Sequence, residues 1–162
     1  MHTVADSGPL ISCARANKLT LVRDVYSELI IPPAVYTEIV IDGSGKPGAE
    51  DIEAAVSIWV DVTKPGNDGL VASLKQRIGP GESEAITLAK ELDAYLLIDE
   101  ASGINVAREY GIRITSTLLM LLEARKRGLI SSVTVELDEL IASGFRCSDV
   151  LYRKVLTLSG EL

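Results

Sequence analysis

Short runs of apolar residues alternate with longer amphipathic segments along the chain. Residues 95–98 form a continuous apolar run, which is typical of a strand buried on both faces of a sheet. Residues 82–92 instead carry apolar side chains every three or four positions, which predicts an amphipathic helix. Further apolar runs lie at 3–5, 29–31, 58–62 and 112–114. This alternation of strands and helices predicts an α/β domain with a mainly parallel sheet.

The remaining amphipathic segments predict the other helices. These lie at residues 10–16, 34–40, 50–57, 69–77, 101–110, 116–127, 135–143 and 148–158. Residues 41–48 are the most loop-like part of the chain, and we interpret them as an internal loop because the second half of the fold still needs the first. We therefore expect a single domain over residues 1–162, with two helices at about 135–158 completing it.

The composition limits the chemistry that the chain can carry. The hydrophobic content is 47%, but there is one Phe and one Trp, so the core must be aliphatic. His2 is the single histidine, which excludes a histidine-rich metal site or a Ser-His-Asp triad. Cys13 and Cys147 lie far apart without C-x-x-C spacing, so we expect buried thiols rather than a disulfide or a zinc site.

The charge balance disfavours some partners. The chain carries 16 basic and 23 acidic residues, a net charge of −7. A protein that coats nucleic acid usually has a basic face, so this class loses support. An acidic metal site can still bind RNA once cations neutralise it. The chain begins without a signal-peptide pattern and has no apolar run of roughly 20 residues, so we expect a cytoplasmic protein without membrane contact.

Acidic residues stand where strands end or helices begin. Asp6 and Asp99 each follow an apolar run directly, Glu38 lies in the predicted helix 34–40, and Glu82 and Glu84 open another helix. Carboxyl ends of parallel strands converge on one crevice. Carboxylates gathered there repel one another unless a divalent cation such as Mg²⁺ holds them through their oxygens. The pattern predicts a metal-dependent enzyme that acts on phosphate esters.

Each acid also has a simpler explanation. Asp6 and Asp99 could only cap helices, and Glu38 could lie on a solvated helix face. Glu82 and Glu84 are two residues apart, about 200° around a helix. We therefore expect only one of them to be a direct ligand. The chain has no Walker or dinucleotide-binding loop to explain phosphate chemistry in another way.

Four segments of the sequence resemble a known family. Asp-Ser-Gly-Pro-Leu-Ile at 6–11, Ile-Pro-Pro-Ala-Val-Tyr-Thr-Glu at 31–38, Gly-Glu-Ser-Glu-Ala-Ile at 81–86 and Leu-Leu-Ile-Asp-Glu at 96–100 are similar to PIN domains. They are most similar to the small prokaryotic branch related to VapC-type toxins. The similarity runs in order along nearly the whole chain and includes Leu-Ile-Ala-Ser-Gly-Phe-Arg at 140–146.

The resemblance implies a fold, an activity and a site. The fold would be PIN-like and Rossmann-like, a three-layer α/β/α domain with a mainly parallel sheet of about five strands. The activity would be an endoribonuclease dependent on Mg²⁺ or Mn²⁺, which hydrolyses RNA phosphodiester bonds with an activated water. The implied catalytic and metal-binding acids are Asp6, Glu38, Glu84 and Asp99. The residues expected to support these acids, without being metal ligands themselves, are Ser7, Glu82, Glu100 and Thr117.

The resemblance also implies partners, and the chain departs from it in two places after Asp99. One is the Gly-Thr motif of relatives before the next helix, which appears here as Thr115-Ser116-Thr117; the other is a lack of arginines. Such toxins cut RNA, are restrained by a cognate antitoxin and commonly form homodimers. Relatives tend to carry arginines in the helix after the fourth acid, whereas Arg108 is the single arginine there in this chain. Arg15 and Lys18 on the first helix are further candidates for RNA binding, although a solvated face would explain them as well.

Two other functions remain open at this point. One is a catalytically weak PIN scaffold that works by binding a partner protein, which would agree with the net negative charge and the missing arginines. The other is a receiver-like or phosphatase domain with an Mg²⁺-dependent aspartate, although the chain lacks the Asp-x-Asp pattern of such a nucleophile.

Overall fold

The structure is a computed structural model that describes residues 2–162. Its centre is a five-stranded sheet with the order β3-β2-β1-β4-β5, in which every neighbouring pair is parallel. The strands are β1 Thr3–Ala5, β2 Leu29–Ile31, β3 Val60–Val62, β4 Tyr95–Leu97 and β5 Ile114–Thr115. The predicted α/β class and the mainly parallel sheet of about five strands are confirmed.

Helices connect and cover these strands. They are α1 Ser7–Arg15, α2 Leu19–Tyr26, α3 Pro33–Tyr36, α4 Ala49–Ala55, α5 Asp68–Leu74, α6 Pro80–Leu92, α7 Ala101–Glu109, α8 Thr117–Lys126, α9 Val133–Ala142 and α10 Asp149–Ser159. A π-helical turn, Thr37–Ile41, continues α3 directly. Across residues 2–162, every helix is too short or too polar to pass through a bilayer.

Two of the predicted elements differ from those observed. The helix expected at 34–40 begins as α3 and then widens into the π-helical turn, where Asp42 N donates to Thr37 O at 2.8 Å. The strand expected at 58–62 shortens to β3, because Ser57 has a φ of +68° and the chain turns before it can extend. Helix α2 has no counterpart among the predicted helices, and the other strands and helices lie within a few residues of their predicted positions.

Two apolar layers cover the faces of the sheet. Along β4, Leu96 faces one layer and Leu97 the other, as the two-residue period of a strand requires. The Leu97 layer is covered mainly by α1, α2, α8, α9 and α10, and the Leu96 layer by α5, α6 and α7. The result is the predicted three-layer α/β/α arrangement.

The strand order reverses direction at the centre of the sheet. From β1 the chain builds outward through β2 to β3, then returns to the other side of β1 with β4 and β5. A parallel sheet has a crevice at such a reversal, outside the carboxyl ends of the two central strands. Here the reversal lies between β1 and β4, which are paired from Thr3↔Tyr95 to Ala5↔Leu97.

Candidate active site

Asp6 lies at the carboxyl end of β1, within this crevice. Its backbone N–H donates to Leu97 O at 2.9 Å, which continues the pairing of β1 with β4. The next residue, Ser7, begins α1, so Asp6 stands at the helix end that favours negative charge. The side chain is only 5% exposed, and its Oδ1 has no hydrogen-bond partner. Asp6 is therefore a buried carboxylate with one oxygen left unsatisfied.

Asp99 lies at the end of the neighbouring strand and is held by Thr117. The Thr117 backbone N–H donates to Asp99 Oδ1 at 2.9 Å, and the Thr117 hydroxyl donates to Asp99 Oδ2 at 2.6 Å. Thr117 is fully buried at the start of α8. The orientation of the Asp99 carboxylate is thus fixed by two donors of Thr117.

Glu38 lies in the π-helical turn and connects the starts of two other helices. Its Oε2 accepts a hydrogen bond from Ser7 Oγ at 2.6 Å, and its Oε1 accepts one from Gly81 N at 3.0 Å. A β-carbon at position 81 would overlap the Glu38 carboxylate, so this close approach requires glycine. Ser7 thus contacts the carboxylate of Glu38 directly.

The acid that α6 contributes to the crevice is Glu82, whereas the predicted catalytic residue was Glu84. Glu82 lines the crevice, and its Oε2 is buried without a hydrogen-bond partner. Glu84 points toward α3, where its Oε1 accepts a hydrogen bond from Ala34 N at 3.1 Å. That N–H belongs to the first turn of α3 and has no partner within its own helix, so Glu84 caps α3. Glu82, expected only to support the acids, therefore lines the crevice, and Glu84, expected to be catalytic, lies outside it.

Together these side chains form a cavity of about 460 Å³. Its acidic lining residues are Asp6, Glu38, Glu82, Asp99 and Glu100. Glu100 is exposed at the rim, one residue beyond Asp99. The lining contains a single basic residue, Arg146, which sequence analysis did not select, although it ends the quoted segment 140–146.

The acids in the crevice are harder to ionise than free carboxyl groups. Burial raises the pKa of Asp6 to about 7, and the nearby charges of Glu82, Glu38 and Asp99 act in the same direction. The Ser7 backbone N–H opposes this shift but does not cancel it. Burial also raises the pKa values of Glu82 and Asp99. The crevice therefore holds more negative charge than its own donors stabilise.

These residues fit a hard divalent cation. Asp6 Oδ1 and Glu82 Oε2 are buried oxygen atoms without donors, and carboxylate oxygens are the ligands that Mg²⁺ and Mn²⁺ prefer. Within residues 2–162, no three Asp, Glu, His or Cys side chains already stand at the spacing of a closed ligand set. Mg²⁺ keeps several waters and is commonly held by only one or two carboxylates, so two unsatisfied oxygens meet its need.

Lys18, a predicted RNA-binding residue, is buried instead. Its Nζ lies 2.5 Å from Glu136 Oε2 and 2.6 Å from Glu139 Oε2, and its side chain is 7% exposed. The Lys18 ammonium thus ties the turn between α1 and α2 to α9 and is not free to contact a polyanion. The partners of Lys18 are distant in sequence, so its burial has no local signal.

The other predicted RNA-binding residues, Arg15 and Arg108, are exposed but do not line the crevice. Each lies in the last turn of its helix, α1 or α7, whereas the first turns of those helices face the crevice. On α1 the lining residue nearest to Arg15 is Ser12, three residues before it. The RNA-binding role of Arg15 and Arg108 stays a prediction.

A second and larger cavity, of about 1110 Å³, lies at the opposite ends of the strands. It is lined by Thr3, Tyr95 and Ile114 from the starts of β1, β4 and β5, and by side chains of α8. None of the crevice acids contributes to it. Its size does not make it the active-site candidate, because it lacks the acidic groups that carry the chemistry.

The fold and the crevice define a Rossmann-like α/β domain with an acidic site at the reversal of strand order. A family model described as PIN domain, DUF3368, matches residues 2–161. The chain belongs to this PIN domain family. Among curated proteins, none matches the sequence.

One solved structure similar to this chain is a PilT N-terminus domain protein from the hyperthermophilic archaeon Sulfolobus solfataricus P2. The two sequences are 22% identical, and the match covers 91% of this chain and 98% of the archaeal chain with a TM-score of 0.46.

Proposed function

We propose that this protein is a divalent-metal-dependent endoribonuclease. The observation that carries the proposal is a pair of buried oxygens without any donor, Asp6 Oδ1 and Glu82 Oε2, on two residues that line the acidic crevice. PIN domains are in general a nuclease-type fold, so membership of the family supports the same conclusion. RNA as the substrate follows from the resemblance of the four acidic segments to VapC-type toxins.

The residues of the crevice have different roles in the proposed reaction. A bound Mg²⁺ or Mn²⁺ would lower the pKa of a water and neutralise charge on the scissile phosphate. Asp6 Oδ1 and Glu82 Oε2 would hold the cation. Asp99, whose two oxygens are fixed by Thr117, has the defined orientation needed to position the attacking water.

Glu38 has a different part in this arrangement. Its two oxygens accept hydrogen bonds from Ser7 and Gly81, so it fixes the starts of α1 and α6 relative to each other. Those helix starts carry Asp6 and Glu82 into the crevice. Glu38 therefore sets the distance between the two cation-binding acids and adds its own charge to the site.

The biological role that we propose is that of the toxin in a toxin–antitoxin pair. A cognate antitoxin protein and a homodimeric state belong to this proposal, because the resemblance to VapC-type toxins implies both. We place the activity in the cytosol, where RNA is present and the free thiols of Cys13 and Cys147 remain reduced.

RNA cleavage by purified protein tests the proposal. The wild type, the Asp6→Asn/Asp99→Asn double variant and the Glu84→Gln variant are compared with Mg²⁺, with Mn²⁺ and with EDTA. We expect cleavage by the wild type and by Glu84→Gln, and none by the double variant or in EDTA. Equal cleavage by the double variant would assign the activity to a contaminant, and no cleavage under any condition would contradict the nuclease.

A second candidate function is a catalytically weak PIN scaffold that binds a protein. It is favoured by the absence of a closed ligand set in residues 2–162 and by the cavity of about 1110 Å³ remote from the acids. Calorimetric titration separates the two candidates. A scaffold would bind neither Mg²⁺ nor Mn²⁺ and would cleave no RNA, whereas the nuclease binds a cation that the double variant does not.

A further inference from the structure

Arg146 is the basic residue of an otherwise acidic crevice. It lines the same cavity as Asp6, Glu82 and Asp99, and its side chain is exposed. No carboxylate of residues 2–162 forms a salt bridge with it. An arginine in an acidic cavity that pairs with none of the acids keeps its guanidinium donors available for a ligand.

The backbone presents Arg146 on a fixed turn. Helix α9 ends at Ala142, and Gly144 follows with a φ of +107°, a conformation that favours glycine. Gly144 N donates to Ile141 O at 3.0 Å, and Phe145 N donates to Leu140 O at 3.0 Å. The Phe145 side chain packs on the larger apolar core. The arginine thus follows directly on an anchored aromatic residue.

The same turn is tied to the acids through two helices. Lys18, in the turn that follows α1, binds Glu136 and Glu139 on α9, while Ser7 at the start of α1 adjoins Asp6. Helix α9 therefore runs back along α1 toward the crevice. The position of Arg146 relative to Asp6 is set by this helix pair rather than by a loose segment.

We propose that Arg146 binds a phosphate of the RNA backbone next to the bond that is cut. This inference rests on the proposed nuclease function and names the residue that holds its substrate. Five carboxylates in the crevice repel a polyanion, and a guanidinium offers two parallel N–H donors that match phosphate oxygens. Helix α7, which begins beside Asp99, supplies no such group to the crevice, because Arg108 lies in its last turn.

Steady-state cleavage and RNA binding test this assignment. The variants are Arg146→Gln, Arg146→Lys and, as a matched control, Arg153→Gln, which alters an exposed arginine of α10 outside the crevice. For Arg146→Gln we expect KM to rise by about 10- to 100-fold with kcat nearly unchanged, because a charged hydrogen bond made equally in the ground and transition states is lost. The control should match the wild type.

Binding of a mixed-sequence single-stranded RNA gives an independent readout. It is measured over a range of salt concentrations with the Asp6→Asn protein, which under the proposed function should not cleave. Loss of one phosphate contact lowers the slope of log K against log salt by about 1. Arg146→Gln should show this change, and Arg146→Lys should restore the slope and part of the affinity, because lysine keeps the charge but not the two-pronged geometry.

A failure of the role assigned to Arg146 can be distinguished from a failure of the proposed nuclease function. An Arg146→Gln variant that cleaves with unchanged KM and binds with unchanged salt slope would overturn the role of Arg146 and leave the nuclease in place. A fall in kcat with constant KM would also overturn it. A wild-type protein that neither binds nor cleaves RNA with Mg²⁺ or Mn²⁺ would remove the proposed function and this inference together.

Discussion

Glu82 Oε2 occupies the space that a side chain at Gly103 would need. A β-carbon built at Gly103 overlaps this oxygen, and it would also lie 2.6 Å from Ile98 Cδ1. Helices α6 and α7 thus meet at a point where one contributes a carboxylate and the other contributes no side chain. The missing side chain lets the acid enter the crevice.

Replacing Gly103 by alanine should therefore displace Glu82. We expect a roughly tenfold weaker affinity for Mg²⁺ in calorimetric titration, because one of the two unsatisfied oxygens moves. We also expect a net loss of about 1–2 kcal/mol in the free energy of unfolding, since overpacking against the fully buried Ile98 outweighs the better helix propensity of alanine.

Gly69→Ala is the control for that experiment. Gly69 lies in α5, where an added β-carbon would make only an ordinary contact of 3.5 Å with Asn67 Oδ1. The change should leave metal affinity unaltered and stabilise the protein by up to about 1 kcal/mol. Equal effects of the two substitutions in urea unfolding would show that the space at Gly103 has no special role.

The same substitution at Glu82 and at Glu84 distinguishes the acid in the crevice from the acid that caps α3. Glu82→Gln should abolish Mg²⁺ binding and RNA cleavage, because it neutralises the only carboxylate that α6 brings to the site. Glu84→Gln keeps an oxygen that can accept from Ala34 N, so both properties should survive with a change in stability below about 1 kcal/mol. Loss of metal binding in Glu84→Gln alone would restore the original sequence-based assignment.

The raised pKa of Asp6 predicts how the metal-free protein responds to pH. The folded state holds a proton on Asp6 up to about pH 7, whereas the unfolded chain releases it near 3.8. The folded state therefore binds more protons between these values, and its stability falls as pH rises from about 4 to 7. The full shift corresponds to at most about 4 kcal/mol.

Two measurements check this pH dependence. Urea unfolding in EDTA should show that Asp6→Asn is more stable than the wild type at pH 8, with a flatter pH profile. Adding Mg²⁺ should stabilise the wild type at pH 8 and have little effect at pH 5, where Asp6 is protonated. A wild-type profile in EDTA that rises from pH 4 to 7 would contradict the burial of an unsatisfied carboxylate at this position.

Lys18→Met should destabilise the protein without altering its electrostatic contact with RNA. The change leaves Glu136 and Glu139 without their shared cation, at a cost of about 1–3 kcal/mol. Lys90→Met, at an exposed position of α6, should cost less than about 0.5 kcal/mol. The salt slope of RNA binding should be the same for wild type and Lys18→Met, and a slope reduced by about 1 would return Lys18 to the RNA-binding surface.

The sequence predicts the acids at strand ends better than the acid on α6. Asp6 and Asp99 each follow an apolar run, and a strand that ends at the crevice places the next residue there whatever the details of packing. On α6 the choice between Glu82 and Glu84 depends on the rotation of the helix about its axis. That rotation is fixed by contacts with α3 and with Gly103, which lie far from α6 in the sequence.

Basic residues were harder to place for a related reason. In the sequence, Lys18 resembles any charged residue near the end of an amphipathic helix. It is buried because α9 packs against it. Arg146 has no helical pattern around it, and it reaches the crevice because α9 is held along α1. In both cases a tertiary contact between helices decides the position of the side chain. The spacing of residues in the local sequence does not indicate such contacts.

The pairing of β1 with β4 also governs when the activity can arise during translation. Asp6 and Glu38 leave the ribosome well before β4, the Thr117 that fixes Asp99, and the turn that carries Arg146. A nascent chain therefore has the first acids without the strand and helices that close the crevice around them. Under the proposed function, an unfinished chain cannot cut the message from which it is being made.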